Sequence, residues 1–77
     1  MDKEKLDSVM DQIKQVYSLR DDREITPESE LKEDLNTISM QYFAMMSIIK
    51  DEFGKNVSYS QVKACKTIQD VLDLGES

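Results

Sequence analysis

The chain reads as an all-α protein: a small four-helix bundle with a long loop between helices 1 and 2 and a short third helix. Three observations point there. Apolar residues return at helical spacing in separate stretches of the sequence. Turn chemistry is scarce, with one Pro and two Gly, too few for the tight turns of a sandwich or barrel. Seventy-seven residues suffice for one compact core and not for two, so residues 1–77 are read as a single domain.

The first helix rests on Leu6, Val9, Met10, Ile13, Val16 and Tyr17, spaced by threes and fours along one face. Asp2, Glu4 and Asp7 lie near its start, where negative charge suits the helix dipole, and Arg20 is placed at its end. A polar run from Arg20 to Glu24 closes it. Pro27 then drives Thr26 toward extended backbone, and the chain to Asn36 is a long loop pinned by Ile25, Leu31 and Leu35. A connection of that length is uncommon in a compact domain and hints at function.

A second helix is expected from about Ser39 to Phe53, stopped by Gly54. The fourteen residues from Asn36 to Ile49 carry no charge, too short a run to span a bilayer. On a wheel, Tyr42, Met45, Met46, Ile49 and Phe53 form one apolar arc. Met40, Phe43, Ala44 and Ser47 form another, so this helix is buried on both sides or docks something with the second. Val57 is an isolated apolar anchor, and Tyr59 to Ala64 makes a turn or two of helix. Thr67-Ile68-Gln69-Asp70 has the form of a capping box. Ile68, Val71, Leu72 and Leu74 line a last helix ending at Gly75.

Charge and composition narrow the function. Ten basic against sixteen acidic residues give a net charge of −6, contrary to the basic surface that grips nucleic acid. Residues 1–35 hold eleven acidic and six basic groups, and residues 36–77 five and four, so the acidity belongs to the first helix and the long loop. There is no His, which removes the usual general base near neutral pH and the commonest zinc ligand. The single Cys65 excludes an internal disulfide and suits a reducing compartment. Asp2, Lys3, Glu4 and Lys5 stand where a signal peptide needs apolar residues. A cytoplasmic protein without catalytic residues or a metal site is expected.

Few side chains are placed for chemistry. Asp21, Asp22 and Glu24 lack the spacing of a calcium loop and read as a solvated acidic turn. Cys65 has Lys63 and Lys66 nearby but no His to activate it, so it reads as a small buried residue. Ser39, opening the uncharged helix, has two roles open to it. It caps the helix, the role that local chemistry alone favours, or it carries a covalent phosphate beside the free N–H groups of the helix start. Thr37 is equally able to cap.

The segment Ile25-Thr26-Pro27-Glu28-Ser29-Glu30-Leu31-Lys32-Glu33-Asp34-Leu35 resembles the loop that precedes the modification site of acyl carrier proteins. The following Asn36-Thr37-Ile38-Ser39-Met40 falls in register with that family's Gly-x-Asp-Ser-Leu. Asp51-Glu52-Phe53, Val57 and Thr67-Ile68-Gln69-Asp70-Val71 follow at the family's spacing, so the resemblance covers most of the chain. It implies an acyl-carrier type of four-helix bundle that performs no chemistry itself. It implies a 4′-phosphopantetheine arm esterified to Ser39 by a phosphopantetheinyl transferase. The arm's thiol would hold acyl, aminoacyl or polyketide groups as thioesters for the enzymes that process them, as in fatty acid biosynthesis. The tether raises the effective concentration of the group at each partner site.

Three features depart from the family pattern. Ile38 replaces the acid beside the modified Ser, Asn36 replaces Gly, and the second helix presents Gln41, Ala44, Ser47 and Lys50 before acid returns at Asp51 and Glu52. Asn tolerates left-handed backbone better than most residues. Met40, Phe43, Ala44, Ser47 and Asp51 are the expected partner-docking positions. Met45, Met46, Ile49, Phe53, Cys65 and Ile68 are the expected core and acyl-cavity positions. Monomer or weak dimer, no nucleic acid partner and no membrane span complete the expectation. The alternative is an unmodified module of the same fold that uses the uncharged helix to bind a partner or dimerise.

Overall fold

The computed structural model describes residues 2–17 and 25–76. Four helices follow one another: α1, Lys3–Val16; α2, Ser39–Phe53; α3, Tyr59–Lys63; and α4, Ile68–Glu76. No regular strand occurs among the described residues, only an isolated antiparallel bridge between Glu30 and Thr67. The acidic turn of Asp21, Asp22 and Glu24, and Arg20 with it, lies outside the described residues.

Asp2 starts α1 as expected from its position, its carboxylate accepting the Lys5 N–H at 2.8 Å. The helix stops at Val16, earlier than a finish at Arg20. Tyr17 takes over as the C-cap, its N–H donating to the Lys14 carbonyl at 3.1 Å. Tyr17 is 3% exposed, its ring packed inward at the end of the helix. Gly54 ends α2 in left-handed backbone at φ 65°, the conformation that favours Gly at this position. Ser58 and Gln61 cap α3 reciprocally: the Gln61 N–H donates to Ser58 Oγ at 3.1 Å and the Ser58 N–H to Gln61 Oε1 at 2.8 Å. The expected box at α4 forms in the same way. The Asp70 N–H donates to Thr67 Oγ1 at 3.3 Å, and the Thr67 and Lys66 N–H groups donate to Asp70 Oδ2 at 3.1 and 3.0 Å. Those donors hold the Asp70 carboxyl below the ordinary carboxylate range.

Gly75 does not end α4; the helix runs on to Glu76. This glycine is buried because the Phe53 ring lies over it. A Cβ at Gly75 would come within 2.4 Å of Phe53 Cδ2, so the missing side chain is what lets α4 and the end of α2 approach.

The core is continuous. Val9 and Ile13 of α1, Met45 and Ile49 of α2, Val62 of α3 and Ile68, Val71 and Leu72 of α4 are essentially sealed from water, which makes this apolar cluster the main stabilising feature. Leu31 and Leu35 from the long loop join it, as does Ile25 at its edge. Backbone bonds fix that loop to the start of α4: Leu31 N–H to the Lys66 carbonyl at 2.9 Å, Ile68 N–H to Ser29 at 3.1 Å, and Gln69 N–H to Pro27 at 2.8 Å. Its polar backbone is therefore largely paired, as a partly buried loop requires. Among the described residues, no helix is long and apolar enough to cross a membrane.

Candidate functional site

The loop delivers the chain to α2 through a left-handed residue. Asn36 has φ 51°, and its identity suits that conformation better than most L-residues. Thr37 follows with its hydroxyl engaged, donating to the Leu31 carbonyl at 2.7 Å. That single proton is used, so the 2.7 Å contact between Tyr17 and Thr37 is a bond donated by the Tyr17 hydroxyl. Thr37 thus ties the loop to α1 and does not cap α2.

Ser39 does not cap α2 either. The cap position is Ile38, extended at φ −108° and ψ 171°, and Ser39 is the first helical residue. Ile38 has no side-chain acceptor, so half a capping box remains: its N–H donates to Gln41 Oε1 at 2.8 Å. The capping role favoured by local chemistry fails because the helix begins one residue earlier than a Ser39 cap requires. The amides of Ser39 and Met40, in the first turn, have no helical carbonyl four residues back to bond. The helix start thus has amides outside the helical ladder beside an exposed Ser39.

A residue of α3 completes the surroundings. The Tyr59 hydroxyl donates to Ser39 Oγ at 3.1 Å. Its ring stacks on Phe43, centroids 4.8 Å apart and planes 23° from parallel. The same ring meets Tyr42 edge-on at 6.0 Å and 85°, and Lys63 Nζ lies 5.7 Å from its centroid. Tyr59 was legible only as part of a short helix. Its pairing with Ser39 spans twenty positions, and no local periodicity signals such a contact.

The second arc of α2 divides in space. Phe43 leans to α3 and remains 55% exposed, while Met40 is 77% and Ile38 53% exposed. These three apolar side chains flank Ser39. Ala44, Ser47 and Asp51 turn the other way and line a shallow groove with Gln12, Gln15 and Val16 of α1. Of the residues expected inside, Met45, Ile49, Cys65 and Ile68 are buried, whereas Met46 and Phe53 pack against the core with part of their surface in solvent. Ile48, absent from both expected arcs, is buried as well.

Cys65 is placed for packing. Its thiol donates to the Gln61 carbonyl at 3.4 Å. Burial pushes it up to about 11, and the Asp70 and Asp73 carboxylates add to the shift. It stays protonated near neutral pH, where a thioester-exchanging nucleophile needs the thiolate. Tyr42 is also deeply buried, and its hydroxyl has no hydrogen-bond partner.

The chain is 32% identical over 77 residues to an acyl carrier protein of Coprothermobacter proteolyticus, covering all of this chain and 94% of that one. It is 34% identical over 53 residues to an acyl carrier protein of Thermosynechococcus vestitus, covering 69% of this chain and 65% of that one. A third, from Saccharopolyspora erythraea, is 35% identical over 51 residues, 66% of this chain and 54% of the relative. No family model and no solved structure matches.

Proposed function

The chain belongs to the acyl carrier protein family, a family of non-enzymatic carriers, and from that premise we propose that Ser39 bears the 4′-phosphopantetheine arm. The observation that supports this reading most is the position of Ser39 Oγ: exposed, in the first turn of a fifteen-residue helix, and free of any capping duty. The site fits a phosphodiester on three grounds. The first-turn amides and the helix dipole favour an anion there. The Tyr59 hydroxyl, already 3.1 Å from Oγ, is a donor within reach of a phosphate oxygen. The side chains immediately flanking Ser39, Ile38 and Met40, bring no negative charge to oppose it.

When bound, the arm supplies a terminal thiol on which a carried acyl group is held as a thioester. The protein's own residues do the holding: α2 presents the attachment oxygen, and α3 steadies it through Tyr59. Cys65, kept protonated, stays out of the exchange. Ile38, Met40 and Phe43 form an apolar rim around the attachment point, suited to a phosphopantetheinyl transferase and acyl-processing enzymes that present apolar surface. Ala44, Ser47 and Asp51, turned toward α1, form a separate docking face. Docking through such a rim relies less on charge steering and should vary little with salt.

Intact mass after co-expression with a broad-specificity phosphopantetheinyl transferase tests the reading. The mass should rise by one phosphopantetheine unit, and Ser39→Ala should abolish the gain. The same exposed rim favours a second reading, an unmodified interaction module. That reading requires no mass gain with any transferase and loss of association on Met40→Lys or Phe43→Glu.

A further inference from the structure

The chain is acidic as a whole, with a net charge of −6, but the face that carries Ser39 is not. Residues 36–66 hold two carboxylates, Asp51 and Glu52, against four lysines. Both carboxylates turn toward α1. Asp51 lines the groove shared with Gln12 and Gln15, and Glu52 Oε2 accepts from Gln12 Nε2 at 2.7 Å. The side of α2 that meets α3 therefore takes its charge from lysine. Lys63 also borders a groove with Glu30 and Glu33 of the long loop, so Lys50 and Lys55 carry the charge furthest from any acid of that loop.

These cations continue an apolar stripe. Phe43, Met46 and Lys50 follow on α2 at steps of three and four, neighbours on one face of the helix. Met46 and Val57 line a pocket of about 220 Å³ together with Lys50 and Lys55. Lys50 Nζ donates to Asn56 Oδ1 at 2.9 Å, a neutral partner that leaves its charge uncompensated. At the other end of the stripe Ile38, Met40 and Phe43 are exposed. A rise of about 1.5 Å per residue sets Lys50 about 16 Å along the helix from Ser39, three turns away. An exposed apolar patch of this kind marks an interaction surface, and cations at one end of it select the sign of the surface that fits. Lipid-binding surfaces gather about 4–8 cations, more than this face offers, so a protein partner is favoured.

We propose that the α2–α3 face docks a protein partner whose contact surface joins apolar side chains, seated on Ile38, Met40 and Phe43, to carboxylates set opposite Lys50 and Lys55. The proposal deepens the carrier reading by naming the chemistry of the partner at the same site. The apolar rim supplies contact area, and the lysines beyond it supply the sign. A partner that brings basic residues to this end of α2 meets repulsion.

The test uses the full chain, isotope-labelled, and two synthetic helical peptides. Both peptides carry one Leu and Phe stripe; Glu flanks it in the first and Lys in the second. Titration followed by NMR should move the amides of Met40, Phe43, Met46 and Lys50 on adding the Glu peptide. That peptide should bind about tenfold tighter than the Lys peptide, each lysine contributing roughly twofold by attraction and twofold by repulsion. Lys50→Gln with Lys55→Gln should bring the two affinities together, and Lys50→Gln alone, at a fully exposed position, should close part of the gap. Phe43→Ala should weaken both peptides and keep their ratio. Equal or tighter binding of the Lys peptide at this face, binding of neither, or a ratio untouched by the lysine variants overturns the proposal. The same amide shifts with phosphatidylglycerol vesicles, or on concentrating the chain alone, reassign the face to lipid or to a second copy and overturn it too. None of these outcomes bears on the mass gain at Ser39, so the carrier reading stands or falls separately.

Discussion

Replacing Tyr42 by Phe in the unloaded protein should stabilise it, against the usual sign for a deletion in a core. The change removes one oxygen and keeps the ring, so the 6.0 Å edge contact with Tyr59 and the packing volume survive. No hydrogen bond is lost, because the hydroxyl makes none. Its desolvation is relieved, which mutational data place at about 1–3 kcal/mol. The lower end applies, since the void left by the oxygen gives back part of the gain, so about 1 kcal/mol is expected. In a domain of this size that is a rise in Tm of about 4–8 °C, with an unchanged urea m-value showing that compactness is unaltered. Tyr17→Phe is the control. Tyr17 is equally buried, at 3% exposure, but its hydroxyl donates to Thr37 at 2.7 Å, so its removal should cost about 1 kcal/mol. A fall in Tm for Tyr42→Phe, matching the Tyr17 variant, would show that the hydroxyl is paired in solution and refute the reasoning.

Other substitutions probe the scaffold around the site. Asn36→Ala should lower stability by about 1 kcal/mol more than Asn36→Gly in urea unfolding, because Ala meets the steric cost of φ 51° and Gly does not. Gly75→Ala sets a helix-propensity gain of about 1 kcal/mol against overlap with the Phe53 ring at 2.4 Å. Overpacking of this kind costs about 1–3 kcal/mol, so a net loss is expected by thermal melting, with Phe53→Leu reducing it in the double variant. The Asp70 carboxyl sits below its ordinary value of 3.8 because the Thr67 and Lys66 N–H groups donate to it. Its stabilisation is therefore complete above that ordinary value and lost as pH falls through the lower folded one. Urea midpoints taken from about pH 6 down to about pH 3 should fall less steeply for Asp70→Ala than for the wild type.

The parts of the fold that were legible in the sequence are those where one local cause acts alone. Gly54 ends α2 because left-handed backbone selects glycine, and Thr67 with Asp70 opens α4 because two side chains satisfy two amides. Periodicity found the buried arc of Tyr42, Met45 and Ile49 for the same reason. It missed Ile48, whose position borders both arcs and is decided by where α1 packs. Gly75 misled because a helix-stopping residue and a close-approach residue look alike until the Phe53 ring is seen above it. The end of α1 misled similarly: a polar run marks where a helix is able to end, and the inward turn of Tyr17 ends it sooner.

The same distinction governs the site. Ser39 is legible because order and spacing place it at a helix start. Its availability is not, because that depends on three neighbours doing other work. Ile38 takes the cap position, with Gln41 bonding its backbone. Thr37 spends its proton on Leu31 and accepts from Tyr17, joining the loop to α1. Tyr59, twenty residues away, reaches back across the bundle to the serine oxygen. An Asp or Ser at Ile38 would supply the side-chain acceptor for a first-turn amide that Ile38 lacks. The uncapped start of α2 gives up the roughly 1 kcal/mol that a capping side chain contributes. It leaves those donors, and the exposed hydroxyl among them, open to an anion attached from outside.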